Sequence, residues 1–208
     1  MTMYSDDPLA KALQDIREVM EKRQRYRDRL ESLLETFTNG LYAGFEEAVT
    51  MVRDNGITTI GTPRYLDHPA GGWRRVMQLF IEDWRIVIVP LVGVAWPNVN
   101  DEAMIPGSAF KEPCARIAFF LLQHEAPQTT AFYDVIILAN ASWFAWGYGW
   151  PKQQDDVAST NFTLLAMDLL ASFTKDIHLT WEVRDETILS EAMDAKRRAY
   201  RFGLPGEE

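Results

Sequence analysis

Three histidines lie in the chain, and each stands within two residues of a carboxylate: Asp67-His68, His124-Glu125 and Asp176-Ile177-His178. An imidazole oriented by a carboxylate can act as a general base or as a metal ligand. Brought together, such pairs would build a metal-assisted hydrolytic site. His68 and His124 fall in predicted turns, where polar residues belong in any case, so spacing alone assigns no metal ligand and no catalytic residue. The single cysteine, Cys114, excludes an internal disulfide and any zinc site built on several thiolates. The sequence contains no phosphate-cradling glycine loop, no Gly-x-Ser-x-Gly elbow and no His-Glu-x-x-His. No cofactor is expected.

A second polar set is His178, Thr180, Glu182 and Arg184, which alternate with Ile177, Leu179, Trp181 and Val183. That alternation predicts a half-buried strand over 177–184. Next-but-one strand residues are roughly 6.5 Å apart. His178 and Glu182, two such steps apart, are then too distant to ligate one ion, though a substrate can bridge them. His178, Glu182 and Arg184 are the candidate polar site, and the solvated face of an antiparallel sheet gives the same pattern.

Two segments have the composition of contact surfaces. Trp143, Phe144, Trp146, Tyr148 and Trp150 are interleaved with two glycines and end at Pro151. Glycine breaks regular structure, so several of these rings are expected on a turn. Trp143 is assigned to the core, whereas Trp146, Tyr148 and Trp150 are candidates for partner contact, since such rings dominate interface hot spots. The second segment is basic. Glu21 to Arg29 holds five basic and two acidic residues, a net of +3, while the rest of the chain holds 16 basic and 28 acidic, a net of −12. The chain's −9 therefore argues against phosphate binding by most of it and leaves one stretch suited to acidic partners. Binding of nucleic acid through that stretch is the lesser expectation; the greater is that the stretch is solvated or pairs with the acidic body of a neighbouring subunit.

These segments need positioning elements. Asp7 is a good helix N-cap and Pro8 suits the first helical position. Apolar residues then recur at spacings of four and three: Leu9, Leu13, Ile16 and Met20, then Leu30, Leu34, Phe37 and Leu41. A 3.5-residue repeat is the seam of a coiled coil, and its two intervening positions are Arg23 and Arg27. Asn39-Gly40 is a possible break and Asn55-Gly56 the expected end. The stretch from Pro8 to Thr38 alone would run roughly 45 Å, longer than a domain of this size is wide, so part of it should project or pair with another chain.

A turn-rich stretch over 61–72 separates this helix from a body. Strands are predicted over 73–81 and 84–94, joined at Glu82-Asp83, then over 115–123 and 130–139. Pro90 suggests an edge strand or a bulge. A helix capped by Ser159 or Thr160 runs to Thr174, and a last helix spans Glu186 to Phe202, its ends matched to the helix dipole. The class is α+β: a long N-terminal helix followed by a largely antiparallel sheet of about five strands packed with two C-terminal helices. Residues 1–56 form a coiled-coil-like arm and 57–208 the body.

The most apolar run, Ile86 to Trp96, is too short to span a bilayer and contains Pro90. With an acidic N-terminus lacking a leader-type apolar run, a soluble cytoplasmic chain is expected. The pattern as a whole points to a non-enzymatic interaction or assembly protein that self-associates or docks through its N-terminal helix and an aromatic segment. A metal-assisted hydrolase with a dispersed site and a nucleic-acid-binding subunit of a larger complex are the alternatives.

Overall fold

The computed structural model describes residues 8–94, 114–123, 133–147 and 154–182. Helix α1 spans Pro8–Asp54, 47 residues or roughly 70 Å at about 1.5 Å per residue. Seven strands follow: β1 Ile60–Asp67, β2 Arg75–Ile81, β3 Trp84–Val94, β4 Cys114–Gln123, β5 Tyr133–Ile137, β6 Ser142–Gly147 and β7 Gln154–Asp156. They form one antiparallel meander in sequence order. A 3-10 turn at Val157–Ser159 leads into α2, Phe162–Glu182. The class is mixed α and β, with a long first helix, as expected.

The strand count is seven rather than about five. The stretch over 61–72 that reads as turn contains all but the first residue of β1, an edge strand. Pro63 is tolerated there because the ladder to β2 shifts between Gly61 and Arg64, where a missing N–H costs no bond. The turn proper is shorter: Gly71 and Gly72 both take positive φ, and the Gly71 N–H donates to the His68 carbonyl at 2.8 Å. The aromatic run also forms a strand. Trp143, Phe144 and Trp146 lie in β6, where Trp143 pairs with Ile137 and Trp146 with Asp134. Pairing of the run Trp143–Gly147 with β5 outweighs the turn preference of its glycine.

Pro90 sits in β3, which is an interior strand. The pairs between β2 and β3 end at Met77–Ile88, so Pro90 lies beyond them and meets only β4, through Ile117. The lost donor is harmless for that reason.

Three expectations about helices are corrected. First, α1 runs through Asn39-Gly40. A Cβ at Gly40 would meet the Phe162 ring, and one at Gly44 would meet the Phe162 carbonyl oxygen. The two glycines, one helical turn apart, let the start of α2 approach α1 closely. Second, α2 continues through Ile177 to Glu182, so no strand exists over those residues. Leu165, Ala166, Leu169, Leu170, Phe173 and Ile177 are buried at helical spacing, and that stripe extends past Thr174 without a glycine or proline to stop it. Third, Asn161 caps α2, its side-chain oxygen accepting from the Leu164 N–H at 3.0 Å. The hydroxyls of Ser159 and Thr160 are occupied with Asp155 and Asp156 instead. The last helix, expected over Glu186 to Phe202, lies outside the described residues, so one helix follows the sheet among those described.

The end of α1 follows its sequence. Gly56 takes φ +84°, its N–H donates to the Arg53 carbonyl, and the Ile57 N–H donates to that of Val52. This is the paired 5→2 and 6→1 closure of a glycine-ended helix.

Both helices lie on one face of the sheet. Leu30, Leu34, Phe37, Leu41 and Phe45 from α1 meet Leu169 and Phe173 from α2 and inward residues such as Leu79, Ile86, Ile117 and Val135. Phe37 sits at the junction, with the Trp143 ring 5.2 Å and the Phe162 ring 5.0 Å away, both edge-on. The opposite face carries a smaller cluster of Leu91, Ala118 and Phe120. Buried on that side too are Arg116 of β4 and Asp134 of β5, joined as an ion pair.

The close approach at Gly44 yields a test. Alanine normally raises helix stability over glycine by about 1 kcal/mol. Here the added methyl meets main chain rather than a movable side chain, so Gly44→Ala should lose roughly 1–3 kcal/mol. Gly40→Ala, which meets a ring able to turn, should lose less. Urea denaturation of both variants ranks them; a gain at Gly44 would show that the two helices separate freely.

Candidate functional site

The heptad seam of α1 divides into two halves with different surroundings. Leu30, Leu34, Phe37 and Leu41 are at most 1% exposed and belong to the core. Leu9, Leu13, Ile16 and Met20, on the same register, are 56–65% exposed, and Val19 beside them is 49% exposed. Nearly all of the first 22 helical residues face solvent; only Tyr26 is half-buried, against the core. This projecting half therefore carries an aliphatic stripe along the side that, further on, packs against the sheet. Its polar sides are laced by one-turn pairs, Gln14 to Glu18 at 3.1 Å and Gln24 to Asp28 at 2.7 Å.

Arg23 and Arg27 fill the seam between the two halves. Both are exposed, and neither has an ion-pair or hydrogen-bond partner among the described residues. Lys22, Arg25 and Arg29 are exposed around them. The basic stretch is thus a solvated collar between the apolar stripe and the body.

Other residues singled out by sequence do not converge. Trp143 is buried in the core, its indole N–H donating to Thr160 at 2.6 Å. Trp146 lies in β6, and Tyr148 and Trp150 lie outside the described residues. His178 and Glu182 fall on α2, one helical turn apart along the chain, rather than on a strand face; Arg184 lies outside the described residues. His68 closes the turn after β1, where its Nδ1 accepts from the Ala70 N–H at 3.0 Å. Burial, and secondarily the charge of Arg74, hold His68 below the ordinary imidazole value. His124 lies outside the described residues. Among the described residues, no three His, Cys, Asp or Glu side chains are grouped to hold a metal ion.

Where α1 crosses the first hairpin, the structure makes a cleft that the sequence does not reveal. It measures about 290 Å³ and is walled by Thr38, Tyr42 and Glu46 of α1, Tyr65 of β1, Arg75 of β2 and nearby Trp73. The Tyr65 hydroxyl donates to Glu46 at 2.6 Å, and the Arg75 guanidinium lies 5.3 Å from the centre of the Tyr65 ring. The Tyr42 hydroxyl is 2.9 Å from the Arg75 carbonyl and 3.0 Å from that of Ile88; its one proton serves either in turn. Burial pushes both phenols well above their ordinary value, and at Tyr65 the bond to Glu46 adds to this. Both tyrosines therefore stay protonated at neutral pH and act as donors. The cleft offers rings, one carboxylate and one guanidinium, a combination suited to holding a small polar group rather than to moving protons. Its members come from three elements at irregular sequence intervals, which is why no spacing pattern marks them.

No family model, no curated protein and no solved structure matches this chain. Among the described residues no helix is long and apolar enough to cross a membrane.

Proposed function

We propose that this chain is a non-enzymatic interaction or assembly protein that associates through the projecting N-terminal half of α1. The observation that carries this reading is the change of burial along a single seam: Ile16 is 56% exposed, and Phe37, three heptads on at the same position, is fully buried. An aliphatic side chain repeated in register along a solvated helix gains about 1.5–3 kcal/mol each on full burial, so a partner helix is the natural complement. Singly exposed leucines would need no explanation; five aliphatic residues along one stripe do.

The test uses Leu13→Glu combined with Ile16→Glu. Both residues stand in solvent, so the fold should be unaffected, with stability changed by less than about 0.5 kcal/mol. Native gel filtration of cell extract should show the wild-type chain above its monomer mass and the double variant at it. Elution of both at the monomer mass would remove the basis for the proposal.

A further inference from the structure

We infer that the cleft between α1 and the first hairpin binds a small zwitterion, an α-amino acid, with its ammonium on Glu46 and its carboxylate on Arg75. The cleft shares no residue with the stripe from Leu9 to Met20, so this site stands or falls independently of the docking role.

The carrying observation is a pair of opposite charges that do not meet each other. Glu46 and Arg75 flank one ring, that of Tyr65. The phenol hydroxyl donates to Glu46 Oε1 at 2.6 Å, and the Arg75 guanidinium lies 5.3 Å from the ring centre. The two form no ion pair. Among the described residues neither Glu46 Oε2 nor the Arg75 guanidinium has a hydrogen-bond partner. Tyr65 holds them apart, its hydroxyl fixing one and its face carrying the other. The cleft is therefore neutral overall but dipolar. A simple anion drawn to Arg75 is opposed by Glu46, and a simple amine drawn to Glu46 is opposed by Arg75. A molecule carrying both charges satisfies both groups, through charge-assisted hydrogen bonds. Because the ring places both groups before a ligand arrives, little side-chain freedom is lost on binding.

A hydroxyl without a partner gives the direction of the ligand. Thr38 lines the same cleft, two helical turns before Glu46 and about 12 Å from it along the axis. A threonine within a helix commonly donates back to the carbonyl one turn earlier. Thr36 does so at 2.9 Å, and Thr50 and Thr174 at 2.8 Å. Thr38 does not, and its buried Oγ1 has no partner. Buried hydroxyls are normally satisfied. A ligand side chain that runs along the cleft from the charged end and finishes in a polar atom supplies what is missing, the hydroxyl turning to it about χ1.

Size and walls agree with this class. The volume of about 290 Å³ lies just below the roughly 300–1,000 Å³ of sites for drug-sized ligands, which suits one amino acid rather than a peptide or a nucleotide. Tyr42, Tyr65 and Trp73 supply rings against which the ligand's methylene groups pack. The Tyr42 ring is fixed from behind, its hydroxyl held by main-chain carbonyls.

Isothermal titration of the full chain with L-glutamine, L-asparagine and L-threonine tests the site. At least one should bind saturably. Its N-acetyl form, which lacks the ammonium, and its methyl ester, which lacks the carboxylate, should each bind about tenfold or more weakly. Glu46→Gln still accepts from Tyr65, so the wall stays in place. It should weaken the free amino acid by about tenfold and erase the difference between the free and N-acetyl forms. Arg75→Gln should do the same for the free and methyl ester forms. Both residues are exposed, so neither change should move the melting temperature. Thr38→Val should leave that temperature unchanged or raised and remove any preference for L-glutamine over L-methionine. Failure of all three amino acids to bind overturns the inference. Equal binding of the N-acetyl form would reduce the cleft to an anion site, and equal binding of the ester to an amine site; either overturns the zwitterion. If each variant weakens all forms by one factor, the effect is on the cleft's shape and the assignment of charges falls. A preference that survives Thr38→Val overturns the part given to that hydroxyl.

Discussion

Phe37→Ala is expected to destabilise the protein by about 3–5 kcal/mol, while Ile16→Ala in the dilute monomer changes stability by less than about 0.5 kcal/mol. The two positions are equivalent in the heptad, and a reading of periodicity alone assigns them equal weight. Their surroundings differ. Phe37 touches Trp143 and Phe162 edge-on and lies in the core that unites both helices with the sheet. Removing its ring leaves a cavity bounded by elements that are already anchored elsewhere, so little collapse can fill it. The Ile16 side chain already stands mostly in water, and truncating it gives up little that folding had gained. Thermal or urea unfolding of the two variants measures the contrast. Equal losses would mean that the first half of α1 is covered in the isolated chain.

Removing one partner of the Arg116–Asp134 pair should be comparably severe. Both groups are completely buried, and Asp134 Oδ2 accepts no hydrogen bond among the described residues. Asp134→Ala breaks the buried ion pair with Arg116 by removing one member, at a cost of about 3–5 kcal/mol. The joint change Arg116→Met with Asp134→Leu removes both charges and should recover most of that loss. The pair also predicts a pH dependence. Burial, only partly offset by Arg116, pushes the Asp134 carboxyl up from 3.8 to about 6. The folded state therefore takes up this proton more readily than the unfolded chain. Its stabilising contribution is complete below about pH 4 and is lost as pH rises through about 6. Subtracting the unfolding free energy of the charge-free double variant at each pH isolates this contribution. A difference that stays flat between pH 4 and 7 would show that Arg116 outweighs burial.

Much of the architecture was legible because it depends on neighbours close in the chain. Pro8 opens α1, and Asn55-Gly56 closes it through a local pair of hydrogen bonds. Glu82-Asp83 joins β2 to β3, and the apolar runs of β4 and β5 read as strands. The misread segments are those where a distant contact outweighs a local preference. Gly40 looks like a helix break until Phe162, 122 residues later, occupies the space a Cβ would fill. Ile177 to Glu182 alternates like a strand, yet the core fixes the helical stripe through Ile177. Ser142–Gly147 looks like a glycine-broken loop, yet β5 offers it a ladder.

The surfaces show the same division. The sequence by itself determined that the first helix carries one continuous seam, interrupted by Arg23 and Arg27, and that acidic residues precede it. Those are facts of spacing and charge, and helix geometry converts them into a stripe. Only the tertiary structure decided that the body consumes the seam from Leu30 onward and leaves Leu9 to Met20 in water. Tertiary structure alone also brought Tyr42 and Glu46 beside Tyr65 and Arg75, and Arg116 beside Asp134. The physical reason is common to all of these: periodicity states which side chains share a face, but which faces are buried depends on where the chain returns.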